Sequence, residues 1–391
     1  GETNSTFTPP TNVAGTLYYY CIVTQNSGDG CNVTSTVATV TVNLAPDFTS
    51  QPLSSNICLG QTPTVLSFVI VNGVGTPTYQ WYSNTTNTNT GGAIISGATS
   101  ATYAPPSNVP GTTYYYCVVM FPSITGGCSV ITTNTAAVII NPNPEIAAET
   151  VTICSGTSFS ITPAVSGGNI IPLGTTYTWS TPLISPTGSV TGATAEVTPQ
   201  TTISQNLVNT TTSPATVTYT VTPVSGVCVG IPFTVTVTVN PAINPNVVVN
   251  NNACFGVNTA SITTNITGGI PFSTGTPYQL NWTGPNGFTS NSTLISNISP
   301  GVYQVTIADA GGCPFSNSYT ISEPADIVIT VDSENDVTCF NAANGSINLT
   351  VTGGTGSYTY NWTQDGSFYA ATEDIANLSP GTYVVTVTDA N

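Results

Sequence analysis

The strongest constraint on this chain is that it repeats itself. The segment TFTPPTNVAGTLYYYC, ending at Cys21, returns 96 positions on as TYAPPSNVPGTTYYYC, ending at Cys117. A unit that starts after the Pro-bearing joint NLAPDF (Asn43 to Phe48) begins with ICLG around Cys58. It carries YQWY at Tyr79 to Tyr82, then GGCSV around Cys128, and ends at Asn141. The same order follows as ICSG at Cys154, YTWS at Tyr177 to Ser180, Cys228, and FTVTVTVNP ending at Pro241. From Ala242 the repeat shortens. Cys254, Gly268-Gly269, LNW ending at Trp282 and NISPGVYQVTIADAGGC ending at Cys313 are answered by Cys339, Gly353-Gly354, YNW ending at Trp362 and NLSPGTYVVTVTDAN ending at Asn391. The spacing predicts five units: 1–44, which reads as the back half of a unit, then 45–141, 142–241, 242–324 and 325–391. The last is expected to lack its closing residues, because the counterpart of Cys313 falls at position 393.

Alternating runs such as TVATVTVN, AAVII, FTVTVTV and YVVTVTD are rich in β-branched residues and separated by Gly, Pro and Asn clusters. They read as short strands at regular spacing, and nothing reads as a helix. The predicted fold is all-β: tandem immunoglobulin-like antiparallel β-sandwich domains forming an elongated rod, with short Pro-rich joints. All four tryptophans, Trp81, Trp179, Trp282 and Trp362, hold the same relative place. A core Trp on a central strand is expected; a sugar-stacking platform, the competing reading, needs exposed indole faces.

The chain contains no Lys, Arg or His, and its formal charge is -16. Imidazole bases, His metal ligands, Schiff-base lysines and arginine clamps are therefore excluded. Nucleic acid is excluded as a partner, since nothing can neutralise phosphate. No stretch approaches the ~18 apolar residues of a membrane helix, so this segment is not expected to insert in a membrane.

Ten cysteines with no CxxC pair and no histidine fit disulfides in an oxidising, extracellular compartment better than zinc. In the third unit only Cys154 and Cys228 are available, which predicts a bridge within the unit. By repeat logic Cys58 then joins Cys128, and Cys254 joins Cys313. Cys21, Cys31, Cys117 and Cys339 keep no assigned partners. A competing scheme joins Cys21 to Cys31 and Cys117 to Cys128 across a hairpin, leaving Cys58 alone.

The last two units, with C.....G.I...TGG, NW and PG.Y.V.V.DA, resemble the SprB repeat of very large surface adhesins in gliding Bacteroidetes. The earlier ones, with ICLG, YQWY, TYAPPSNVPGTTYYYCV and GGC, are similar to the Ig-like and PKD-like modules that accompany it. The resemblance implies a cell-surface adhesin attached to the outer membrane, exported by type IX secretion and carried by the gliding machinery. It transfers no catalytic residue.

Ten of the sixteen carboxylates lie beyond residue 308. Asp332, Glu334 and Asp336 alternate, so on a regular strand they share one face. With Asp326 across the same joint they form a candidate structural Ca²⁺ set, the only cofactor considered. The competing reading is a solvated acidic edge that deters strand-to-strand aggregation. Asp309 and Asp389, at matching positions, are expected to cap turns. No cleft for an acid-base pair is foreseen, so the chain is read as non-enzymatic: a stalk segment whose partner is an external surface or polysaccharide. A subunit of an extracellular filament and a carbohydrate-binding array of a secreted polysaccharide-degrading enzyme are the alternatives.

Overall fold

The computed structural model describes residues 1–390 apart from 26–27, 29 and 123–129. Among the described residues there is no α-helix, only one 3₁₀ turn at Pro285–Gly287. Hydrophobic side chains gather in four separate clusters, drawn from residues 48–140, 146–239, 243–321 and 347–385. The surface area reflects this division. The chain exposes 22458 Å² for 40.0 kDa, whereas a single compact body of that mass exposes about 14,400 Å². Tandem small cores, each with its own surface, account for the excess.

In the first stretch Gly15–Tyr19 pairs with Ala38–Val42, and Ile22–Thr24 with Asn32–Thr34. In the second unit β1 (Ser55–Cys58), β2 (Thr78–Asn84), β3 (Gly111–Met120) and β4 (Ala136–Asn141) form one sheet in the order β2-β3-β4-β1. β3 is antiparallel to both neighbours, while β4 and β1 run parallel. The third unit repeats the plan with β5 (Glu149–Cys154), β6 (Thr176–Trp179), β7 (Ala215–Ser225) and β8 (Phe233–Asn240), in the order β5-β8-β7-β6. Here β5 is parallel to β8, with Cys154 opposite Asn240. Facing this sheet, Thr157–Ile161, Ile203–Asn209 and Val190–Thr191 form the second layer.

Period-two patterning builds these layers. In β8, Phe233, Val235, Val237 and Val239 are at most 5% exposed, while the threonines between them point outward. β7 does the same with Ala215, Val217, Tyr219 and Val221.

The fourth unit packs Val247–Asn250, Ala260–Thr264 and Leu294–Ile298 against a sheet containing β9 (Gln279–Thr283), β10 (Gly301–Ala308) and β11 (Phe315–Ile321). The fifth sets β12 (Ala325–Asn335), β13 (Gly345–Gly354) and Ile375–Leu378 against Ser367–Ala370, β14 (Thr359–Gln364) and β15 (Tyr383–Thr388). Each Trp lies in its own core, on β2, β6, β9 or β14, and is at most 4% exposed. Each indole N–H also donates to a backbone carbonyl: Trp81 to Ser100, Trp179 to Thr194, Trp282 to Ser292 and Trp362 to Thr372. The core reading of the tryptophans holds, and none offers a face to a sugar.

Candidate functional site: the joints between units

The parallel pairing of first and last strands decides where the cysteines lie. Cys58 closes β1 opposite Asn141, and Cys154 closes β5 opposite Asn240. Both therefore stand at the end of their unit from which the chain departs. Cys228 lies in the hairpin that leads into β8, opposite Ser225, at the end where the chain enters. Cys313 precedes β11 in the same way. The bridges consequently cross the joints: Cys58 joins Cys228 and Cys154 joins Cys313, each with Cα atoms 5.5 Å apart.

This corrects the pairing expected from the repeats. Cys154 and Cys228 are separated by at least the run of β8 from Phe233 to Asn240, about 23 Å at the rise of a strand. A disulfide requires Cα atoms within about 7 Å. Cys313 cannot join Cys254 for the same reason. Asn252, two residues before Cys254, donates its N–H to the Ser322 carbonyl at the far end of β11. Cys58 is committed to Cys228, and Cys128 lies outside the described residues. The hairpin alternative is not formed either: Cys21 and Cys31 are unpaired and exposed, as is Cys339. Cys117 is an unpaired thiol at 0% exposure, opposite Trp81 on β2, and burial pushes its pKa up to about 12. That keeps it protonated and unreactive.

The joints are tight as well as bridged. A Cβ on Gly230, two residues after Cys228, would come within 2.1 Å of the Pro144 carbonyl oxygen in the preceding linker. Gly311, two residues before Cys313, meets the buried Asn240 side chain, whose amide donates to the Gly311 carbonyl at 3.3 Å. Asn143 in the first linker donates to the Leu59 carbonyl at 3.3 Å. Glycine is demanded at both places because an atom from before the joint, the Pro144 carbonyl oxygen or the Asn240 side-chain amide, occupies the space of a side chain. The sequence signal was present as the glycines flanking Cys228 and Cys313, but spacing alone does not say what they touch.

Asp309 caps its turn as expected and does more. Asp309 is 4% exposed; its Oδ1 accepts the Cys313 N–H at 2.9 Å, capping the bridged turn, and its Oδ2 accepts the Ile270 N–H at 2.8 Å. It thus ties the cysteine turn to the Gly-Gly turn. Asp389 repeats the second bond, accepting the Thr355 N–H at 3.0 Å. Tyr303 and Tyr383, which the repeat pattern matched without giving them a role, donate their hydroxyls to the Ser299 and Ser379 carbonyls, each at 3.0 Å. This is the tyrosine corner of immunoglobulin-like sandwiches, and its signature here is the shared SPG.Y.

The candidate Ca²⁺ carboxylates are not brought together. Asp332 is the extra residue of a β-bulge between Val331 and Ser333, which breaks the expected shared face, and β12 ends at Asn335 before Asp336. The Asp332 carboxylate accepts the Thr350 hydroxyl. Asp326, Asp332, Glu334 and Asp336 are all exposed, and no group of three metal-ligating side chains converges among the described residues. β12 is an edge strand of its sheet. Two surface concavities, of about 290 Å³ beside Gln279 to Asn281 and about 220 Å³ beside Pro106 to Thr113, contain no carboxylate.

Family models match three parts of the chain: a domain of unknown function at residues 50–142, a PKD-like domain at 151–243 and the SprB repeat at 332–367. None of the three describes an enzyme. Among curated proteins none is similar enough to match. Of solved structures, Sidekick-1 immunoglobulin domains 1-5 share 16% identity over 88% of this chain and 78% of that one, with a TM-score of 0.28. The insect immune protein hemolin shares 14% over 88% and 96%, with a TM-score of 0.26. Superpositions at that level carry no weight, and the fold rests on the sheets described above. No helix among the described residues is long and apolar enough to cross a membrane. The chain is thus a tandem array of immunoglobulin-like β-sandwiches, one stretch of which matches a PKD-like domain and another the SprB repeat.

Proposed function

We propose that this chain is a non-enzymatic stalk segment of a large secreted adhesin, divided into units at residues 44, 141, 241 and 324. Its work is spacing and display: it holds an adhesive region away from the outer membrane during surface attachment and gliding, after export by type IX secretion. The observation that carries this reading is the pair of disulfides across consecutive joints. A bridge inside a sandwich stabilises one fold, whereas a bridge across a joint fixes one sandwich on the next and makes a spacer of them. The match to the SprB repeat supports the surface location. The exposed carboxylates of β12 serve as a solvated edge that keeps copies from pairing.

An in-frame deletion of residues 45–324 in the producing cell tests the proposal. Immunogold labelling of a tag ahead of the deletion should move closer to the cell surface, and attachment to glass under flow should fall. Unchanged tag height together with unchanged attachment would overturn it.

A further inference from the structure

Along the chain the bridged cysteines fall in the order 58, 154, 228, 313, and the first joins the third while the second joins the fourth. The two loops therefore interleave. Between Cys58 and Cys313 tension has three short covalent routes. One follows the backbone from Cys58 to Cys154 and crosses to Cys313. Another crosses from Cys58 to Cys228 and follows the backbone to Cys313. The third crosses to Cys228, runs backward to Cys154, and crosses again.

Each route passes through the body of a different unit. The first contains the second unit's core, the second contains the fourth unit's core, and the third contains the third unit's core between Phe159 and Val221. The strands β5 and β8 act as straps. β5 is tied to the second unit by the linker and to the fourth by Cys154; β8 is tied to the second by Cys228 and to the fourth by the Asn240 to Ile243 linker. Both are already extended and lie side by side in parallel, so neither has slack to yield.

We infer that the interleaved bridges place units two, three and four under load in parallel rather than in series. An unbridged tandem array opens at its weakest unit, and each unit then yields alone. Here the distance from Cys58 to Cys313 cannot grow until all three bodies open together. Its limit is the shortest route, roughly 74 residues or about 250 Å, against roughly 255 residues or about 870 Å for the backbone alone. The routes follow from connectivity alone; that the chain bears tension in use rests on the stalk reading.

Single-molecule force spectroscopy on the full chain, held by peptide tags at its two ends, tests this. The oxidised chain should open this span in one concerted event releasing at most roughly 74 residues, and the same chain in reductant should give three unit-sized steps totalling roughly 255. Cys154→Ser leaves only the Cys58–Cys228 bridge, so units two and three leave the load path and roughly 85 residues are released, from the fourth unit. Cys58→Ser leaves only Cys154–Cys313, and roughly 96 residues are released, from the second. Because the reductant comparison uses the folded wild-type chain, it stands even if a variant fails to fold. Three separate steps in the oxidised chain, or absence of the Cys58–Cys228 and Cys154–Cys313 linked peptides after Glu/Asp-specific digestion without reductant, would overturn load sharing. The stalk reading, tested by the deletion above, would survive the first of those results.

Discussion

The fourth and fifth units are written in the same pattern and are buried to different depths. β10 and β15 each come out of an SPG turn, carry the corner tyrosine and are followed directly by aspartate. Yet Tyr303, Val305 and Ile307 are at most 1% exposed, while Tyr383, Val385 and Val387 remain half-buried. The strand itself is not the cause. β10 lies between β9 and β11, whereas β15 has β14 on one side and no described strand on the other. β11 brings Phe315 and Tyr319 onto the core, and the fifth unit has no counterpart of them among its described residues. Alternation decides which side chains face inward, and the neighbouring strand decides how completely they leave water.

The sharpest way to break this contrast is Trp→Ala, read unit by unit by hydrogen-exchange mass spectrometry. Trp282→Ala should destabilise the fourth unit by about 4 kcal/mol, since β11 sets the Tyr319 ring against this indole; Trp362→Ala, with no such ring beside it among the described residues, should cost the fifth about 3 kcal/mol. Equal costs would mean that β11 adds nothing to the core. Next comes the turn aspartate. Asp309→Ala strands two N–H groups, the buried one of Cys313 and the half-buried one of Ile270, and should cost about 3 kcal/mol, with Asp389→Ala nearer 1 kcal/mol because water can reach the freed groups. A denaturation midpoint that moves equally in both variants would remove burial as the cause. The smallest effect tests what the units share: Tyr303→Phe and Tyr383→Phe each lose one corner bond and should each cost about 1 kcal/mol. A marked difference between them would show that the corner, too, depends on the neighbouring strand.

Much of this was legible in the sequence. Period-two runs identified the strands, and a Trp at one fixed place in every unit identified the core, because both are set by local pattern and by the need to bury large apolar groups. Asp309 was recognisable as a turn residue from its place just after a strand and before a Gly-Gly-Cys turn. The bridges were not legible. The repeats separate the four bridged cysteines into two kinds, those of the first strand and those of the last hairpin, but they say nothing about which end of a sandwich each kind occupies. That follows only from the parallel pairing of β1 with β4 and β5 with β8. Assigning partners within a unit joined residues at opposite ends of it. The bulge at Asp332 escaped for a similar reason: one extra residue reverses the facing of everything beyond it, and no residue type announces it.

The placing of one indole in each of four separate cores has a practical consequence. Each of these four sandwiches carries its own fluorescent lamp, shielded from solvent and bonded to a carbonyl of its own unit. Replacing any three of Trp81, Trp179, Trp282 and Trp362 by Phe leaves a single emitter, and the colour of its light on titration with denaturant reports when that one unit opens. The melting of a chain of tandem domains can thus be followed a domain at a time without attaching a dye.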